Sequence, residues 1–248
     1  MKKYPPEPKS EFNSRDLLLE EAISKPDLSS IESNDPSLFG GFKIVYNKQV
    51  PLDLKLDTKE GPKEMASYEL IRFKLLSDSI NKEDIPQHIK LELSWDGDLL
   101  FHYTNIVDEQ TFLNIKKTQN LSIDFPQYIN LIKKICECCI NNPDHFICTF
   151  TIQKDGISKL HFVKETEFKM IDLLSLEFNV SSDKVIKEHI LYRFAYLKTL
   201  LEYKKKALKV AGDVIFGCNP DIINPILESN DSYNLDIDKF FNTQLIKK

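Results

Sequence analysis

The sequence predicts an α+β fold, in which an antiparallel sheet packed with a helix pair forms a head domain and one long C-terminal helix follows it. Three observations lead to this prediction. Apolar and polar residues alternate with a period of two from Phe42 onward, as in half-buried strands. Two segments with a helical period of apolar residues interrupt the strands. A longer helical segment follows the last strand.

The first half of the head is predicted to consist of strands. Two of them flank Asp96-Gly97-Asp98, a sequence typical of a tight hairpin turn. The others come earlier and alternate apolar with polar residues. The predicted strands are Phe42–Tyr46, Val50–Leu56, Tyr68–Leu76, Ile89–Trp95 and Leu99–Thr104.

Two helices are predicted next. Asp108 can cap the first, whose apolar positions include Phe112 and Ile115. The second begins near Phe125-Pro126, because proline is tolerated in a first helical turn, and it ends before Asn142-Pro143. We expect the pair to pack on the sheet.

The cysteines of the second helix allow two interpretations. Cys136 and Cys139 have the C-x-x-C spacing of zinc sites, with Cys138 between them and His145 and Cys148 just beyond. However, Cys136 and Cys139 also belong to an apolar helical stripe, and buried cysteines are common in reducing compartments. We predict a core role and assign no metal ligand and no cofactor, with zinc as the alternative. The other members of the stripe are Phe125, Tyr128, Ile129, Ile132, Ile135 and Ile140.

Further strands are predicted at 146–152, 160–163 and 173–180. A capping sequence, Ser181-Ser182-Asp183, then starts a long helix that Gly212 is expected to end. Spacings of four and three residues give this helix a coiled-coil-like seam, in which Lys204 occupies one inside position. The seam either pairs with another helix or packs back onto the sheet. Its members are Ile190, Phe194, Leu197, Leu201 and Leu208.

The predicted organisation has four parts. Residues 1–37 combine several prolines with serine and charge, and are expected to form a mostly disordered arm. The head domain covers 38–181 and the long helix 182–211. Residues 212–248 form a polar tail that we interpret as a docking segment.

The composition excludes several classes of function. No run approaches the ~20 apolar residues of a membrane helix, and the N-terminus has no apolar signal core, so we expect a cytosolic protein. The seven glycines form no phosphate-binding loop, and no nucleophile elbow or H-E-x-x-H sequence occurs, so we expect no enzyme and no catalytic residue. The formal net charge of -5 argues against nucleic acid, and the basic run at 204–209 is interpreted as a solvated face.

Four short stretches, with Val50-Pro51-Leu52 upstream of them, carry a resemblance to a known family. They occur in the family's order and at nearly its spacing, and the segment from 68 to 178 resembles the head domain of the centriolar cartwheel protein, spindle assembly abnormal protein six. The stretches are Phe101–Ile106, Asp108–Phe112, Phe125–Ile132 and Phe168–Leu176.

The resemblance implies that the head is a small antiparallel β-sandwich or barrel with an inserted helix pair, and that the protein is a self-assembling scaffold without enzymatic activity. In that family two heads meet through a hairpin whose phenylalanine inserts into an apolar pocket of the partner, and the repeated contact builds rings. Phe168 falls on that phenylalanine, with Glu167 and Lys169 beside it, so these three residues are the expected homodimer interface. Such a small contact predicts weak dimers, with ring closure supplying avidity. The alternative is that Phe168 folds back into its own sandwich.

Two further expectations follow from comparing the chain with the family. The seam stops at Gly212, whereas the family continues as a long coiled coil, so the chain looks more like a short paralogue found at flagellar bases or the apical complex. The expected partners are the chain itself and other proteins of the centriole, flagellar base or apical complex. Scaffolds of DNA end joining have a similar head and helix, and provide an alternative in which the partners are proteins or nucleic acid.

Overall fold

The computed structural model describes residues 28–58, 60–79, 86–153 and 157–218, with side chains through residue 210. Residues Ser30–Phe194 form one compact unit. The strands of this unit are β1 (Lys43–Thr58), β2 (Gly61–Ser77), β3 (His88–Ser94), β4 (His102–Asp108), β5 (Phe146–Ile152), β6 (Ser158–Glu165) and β7 (Met170–Val180). The helices are α1 (Ser29–Glu32), α2 (Glu109–Thr118), α3 (Phe125–Asn141) and α4 (Asp183–Cys218), with a short 3-10 turn at Pro36–Leu38.

The strands close into a barrel in the order β1-β2-β3-β4-β7-β6-β5. All neighbours pair antiparallel except β1 and β5, where Asp53–Leu56 run parallel to Thr149–Ile152. The α+β prediction of a small barrel with a helix pair and a long C-terminal helix is confirmed. The parallel β1–β5 pair was not predicted, because a long connection through β2–β4 and both helices separates the two strands in the sequence.

Alternating side chains of the strands fill the barrel. Val50, Leu52 and Leu54 of β1 point inward, and helix α3 adds Tyr128 and Ile132. This arrangement follows from the period of two in the strands and the apolar stripe of the helix. The largest inward-facing rings of the strands are Phe73, Phe150, Phe162 and Phe178.

The helix pair begins where the sequence predicts. Asp108 accepts a hydrogen bond from the backbone N–H of Thr111 at 2.7 Å and so caps α2. Asp124 and Gln127 form a reciprocal capping box at the start of α3, beside Pro126. Both predicted helices are confirmed within a few residues.

Several predicted boundaries differ from the structure. The two short strands at 42–46 and 50–56 are one strand, because β1 passes through irregularities of its register without breaking its pairing with β2. Leu99 and Leu100 lie in the turn before β4 rather than in a strand. The prediction that Gly212 ends the long helix is wrong, since α4 continues to Cys218. One glycine inside a helix costs only about 1 kcal/mol relative to alanine.

The last residues of the predicted disordered arm are ordered. Asp35 and Ser37 are buried, and the Asp35 carboxylate accepts a hydrogen bond from Lys74 of β2 at 2.5 Å. Ser37 donates to Glu92 of β3 at 2.5 Å. The ordered region therefore begins before residue 38, because a short run of polar side chains finds buried charged partners that its composition does not reveal. Residues 1–27 lie outside the described part of the chain.

Candidate self-association surfaces

The hairpin between β6 and β7 presents Phe168 at its tip. Glu165 pairs with Met170, and the Thr166 N–H donates to the Lys169 carbonyl at 3.0 Å, which closes the turn. The Thr166 hydroxyl also donates to the same carbonyl at 2.6 Å. Glu167 and Phe168 are thus the two central residues of a well-bonded turn.

Phe168 is 88% exposed. This result contradicts the alternative in which the ring folds back into its own barrel. A large apolar side chain in water is unfavourable, since burying it elsewhere would be worth about 1.5–3 kcal/mol. Met170, also exposed, extends the apolar surface. The turn holds the backbone on either side of Phe168, so the ring is presented from a defined position.

Charged side chains surround the exposed ring. Glu165, Glu167 and Lys169 are exposed next to it, as is Lys164. Apolar centres with a polar rim are typical of interfaces between proteins. The three residues predicted for the interface, Glu167, Phe168 and Lys169, therefore lie together on one hairpin and are all accessible.

An apolar cleft lies at the same end of the barrel as the hairpin. Phe146 lines the cleft and pairs with Lys164, which in turn pairs with Ile171 at the base of the hairpin. The cleft is shallow and partly open: about 10 Å³ is enclosed, within about 220 Å³ of space that includes open solvent at its mouth. No sequence pattern marks the cleft, because its lining comes from distant segments. The lining residues are Pro51, Leu52, Asp53, Tyr68, Pro143, Phe146, Ile147 and Cys148.

Tyr68 forms one wall of the cleft in an unusual conformation. Its φ of 56° lies in the left-handed region, which is uncommon for a bulky residue. The Asp53 carboxylate accepts a hydrogen bond from the Tyr68 N–H at 3.1 Å, next to the register irregularity between Leu52 and Leu54. The ring is 60% exposed. Strained backbone of this kind is common at binding surfaces.

The long helix carries the predicted seam on an exposed face. Leu197 and Leu208 are 58% and 72% exposed, Phe194 and Leu201 are exposed too, and Ile190 is half-buried. Within the head unit, a different face of the helix packs on the barrel, through Ile186 and His189. The alternative in which the seam itself packs back onto the sheet receives no support from Phe194.

The cysteines of α3 lie in the core. Cys136, Cys139 and Cys148 are buried and Cys138 is half-buried, and all four are free thiols. Burial raises the pKa of Cys136, as expected for a thiol in apolar surroundings. Among the described residues, the C-x-x-C cysteines do not form a group of three potential metal ligands.

Another group of potential ligands is present that the sequence analysis did not identify. It consists of Glu92, His102 and His189, which are all buried. The residues are far apart in the sequence and follow no ligand spacing. The Nδ1 of His102 also hydrogen bonds with the Ser181 hydroxyl at 2.8 Å.

No helix in the described part of the chain has both the length and the apolar character needed to cross a membrane.

The protein thus has a head domain, made of a closed barrel and a helix pair, with an exposed phenylalanine on one hairpin. The long helix α4 follows the last strand of this head. The profile of the centriolar protein SAS N-terminal domain matches residues 44–178, more than half of the sequence. The chain therefore belongs to this centriolar protein family.

Individual relatives agree with this assignment. The spindle assembly abnormal protein 6 homologue of Danio rerio is 26% identical over 156 residues, which cover 60% of this chain and 24% of that protein. The chain thus spans about a quarter of the length of this curated relative.

Solved structures show the same fold. The N-terminal coiled-coil dimer of C. elegans SAS-6 aligns with a TM-score of 0.53 at 12% identity, over 68% of this chain and 99% of that one. An N-terminal fragment of Leishmania SAS-6 with part of its coiled coil aligns with a TM-score of 0.56 at 13% identity, over 70% and 98%. The DNA end-joining alternative gains no support from these comparisons.

Proposed function

We propose that this protein is a non-enzymatic scaffold of the centriole, basal body or apical complex that associates with itself through Phe168. Membership of the SAS family supports the structural role. The observation that carries the finer proposal is the 88% exposure of Phe168 on a closed, hydrogen-bonded turn. An exposed aromatic ring with a charged rim is the usual form of an interface anchor.

The apolar cleft is the proposed receptor for Phe168 of a second copy. The cleft and the hairpin lie beside each other, since Phe146 contributes to the cleft and Lys164 leads into the hairpin. Two copies related by a twofold axis can then exchange hairpins, so that each Phe168 packs over the mouth of the other's cleft. Tyr68 and Pro143 would contact the ring from the two sides of the cleft.

The size of the contact sets its strength. Each buried phenylalanine contributes about 1.5–3 kcal/mol, so two contribute about 3–6 kcal/mol. Association of two proteins costs several kcal/mol of lost freedom. The two rings alone therefore leave little net free energy, and the isolated dimer is weak, with a Kd in the millimolar range or above. A second interface along α4, through the seam residues, would convert such dimers into larger assemblies.

Sedimentation velocity of the full chain over a concentration series tests the proposal. Wild type should shift from monomer towards dimer, while Phe168→Glu stays monomeric over the same range. Leu100→Glu is the matched control, because Leu100 is also apolar, is 66% exposed and lies in another hairpin turn. The control should sediment like wild type. Identical sedimentation of Phe168→Glu and wild type would refute the role of this residue.

A further inference from the structure

Glu92, His102 and His189 bring three potential metal ligands together where the long helix meets the barrel. Glu92 lies on β3, His102 on β4 and His189 on α4. Since Ser94 pairs with His102, Glu92 and His102 are diagonal neighbours on one face of the sheet. Each residue offers one ligand atom, and these atoms lie within 4.8 Å of one another. Among the described residues this is the one such group.

All three side chains are more than nine-tenths buried, with exposures of 4% for Glu92, 2% for His102 and 6% for His189. Buried imidazoles normally have a hydrogen-bonding partner. His102 has one, since its Nδ1 lies 2.8 Å from the Ser181 hydroxyl. A hydrogen bond of this kind orients a metal-bound imidazole when the other ring nitrogen, here Nε2, binds the ion.

His189 packs directly on His102. The two rings lie with their centroids 4.1 Å apart and their planes 33° apart. One nitrogen of His189 lies within 4.8 Å of the ligand atoms that Glu92 and His102 offer. The contact between helix and barrel therefore brings the third potential ligand to the other two.

The charges around the cluster suit neutral imidazole ligands. Burial, followed by the neighbouring His189, lowers the pKa of His102 to about 4, and burial also lowers the pKa of His189. Neutral imidazole is the form that binds metal. The cations nearby are Lys74, Lys90 and Arg193, which are paired with Asp35, Glu92 and Asp96 respectively.

Glu92 remains able to act as a ligand. Its carboxylate accepts hydrogen bonds from Ser37 at 2.5 Å and from Lys90 at 3.0 Å. Two oxygens offer about four lone-pair positions, so these contacts do not exhaust the group. Lys90 and Ser37 contact different oxygens of Glu92, so they also hold its carboxylate in place.

We propose that Glu92, His102 and His189 bind a divalent transition-metal ion of the zinc type. Two imidazole nitrogens and one carboxylate oxygen are a donor set that zinc uses in proteins. Bonds of about 2.0–2.2 Å would draw the three ligand atoms together to about 3.5 Å from one another. The ion would join β3, β4 and the first turns of α4, and so fix the start of the helix on the barrel.

Metal binding by the full chain tests this proposal, with zinc and cobalt as the probes. Chelator-treated wild type should take up one equivalent of zinc in isothermal titration calorimetry, and its Tm should rise with zinc. His189→Gln and His102→Gln should bind at least tenfold more weakly. His145→Gln is the control, because His145 is exposed and outside the cluster, and it should bind like wild type.

Cobalt distinguishes this cluster from the cysteines. Binding to Glu92, His102 and His189 gives the weak visible bands of cobalt without the strong near-ultraviolet absorption of thiolate coordination. Far-ultraviolet circular dichroism without metal checks that the variants fold. If wild type takes up no equivalent of zinc in the calorimetric titration, the proposal is overturned, whatever the variants do. Thiolate absorption, or unchanged binding by folded His189→Gln, would overturn it too.

Discussion

The side chain of Gln119 acts as a strand partner for the backbone of Ser175. Its amide nitrogen donates to the Ser175 carbonyl at 2.7 Å, and its amide oxygen accepts from the Ser175 N–H at 2.8 Å. Gln119 follows α2, and Ser175 lies on β7, on the side where β7 pairs with β4 only at Asn179 and Val180. The glutamine thus satisfies both backbone groups where the barrel has no neighbouring strand.

Replacing Gln119 with alanine should destabilise the fold by about 2 kcal/mol, because two backbone groups of Ser175 lose their partners. Urea unfolding followed by circular dichroism measures the difference in the free energy of unfolding. Gln110→Ala is the control, since Gln110 is exposed in the first turn of the same helix, and it should change stability by less than about 0.5 kcal/mol. Equal stability of Gln119→Ala and the control would contradict this role.

Local patterns in the sequence account for most of the secondary structure but not for this contact. The period-two strands, the Asp108 cap and the apolar stripe of α3 each depend on neighbouring residues, and each was predicted. The Gln119–Ser175 bond and the parallel β1–β5 pair depend on distant segments meeting. A polar residue at the end of a helix carries no local sign that it will complete a sheet.

The ion pair between Asp35 and Lys74 should hold the residues before β1 on the barrel. Burial would raise the pKa of Asp35, but Lys74 outweighs it and holds the pKa below the usual 3.8. Asp35→Asn should destabilise the protein by about 3 kcal/mol, because it leaves a buried ammonium group without its counter-charge. Thermal and urea unfolding measure the loss. Asp144→Asn, which changes an exposed carboxylate, is the control.

Two further observations test the same pair. Since the folded pKa of Asp35 is lowered, its stabilisation is complete above pH 3.8 and is lost as the pH falls through the lowered value. The difference in stability between wild type and Asp35→Asn should therefore shrink at strongly acidic pH. Adding Lys74→Met to Asp35→Asn should recover part of the loss. A double variant less stable than the sum of the single changes would argue against the pairing.

The exposed seam of α4 should provide a second, weaker association. In a Phe168→Glu background the heads no longer contribute, so any association at the highest concentrations depends on the helix. Leu197→Glu with Leu201→Glu should abolish it, because charge replaces apolar contacts at the centre of about three heptads. Lys198→Glu, an exposed change beside the seam, should leave it intact. Equilibrium sedimentation at concentrations above those of the sedimentation-velocity series measures all three, and a Phe168→Glu protein that stays purely monomeric there would contradict the seam.

The residues of the candidate self-association surfaces could be predicted only where a sequence pattern or a family resemblance identified them. Phe168 was identified because it stands in a charged hairpin within a family motif, and its exposure agrees with that prediction. The cleft, with walls from β1, β2 and β5, has no sequence pattern of its own. His102 and His189 likewise meet only because α4 returns across β4. An exposed residue within a known motif is therefore easier to predict from the sequence than a surface to which several distant elements contribute.

Exchange of Phe168 between two clefts is tested most directly by mixing two variants, each of which lacks a different half of the contact. Phe168→Glu keeps an intact cleft. Tyr68→Asp keeps an intact Phe168 but loses the wall of the cleft, and aspartate tolerates the left-handed backbone of that position. Neither variant can form the contact with itself, whereas the mixture can form one.

The measurement is an NMR titration of isotope-labelled Phe168→Glu with unlabelled Tyr68→Asp. We predict saturable shifts of the amide signals of Phe146 and Ile147 in the cleft. Unlabelled Phe168→Glu added instead, as the control, should leave those signals in place. Unchanged cleft signals with Tyr68→Asp, or equal shifts with both partners, would contradict the packing of Phe168 over this cleft.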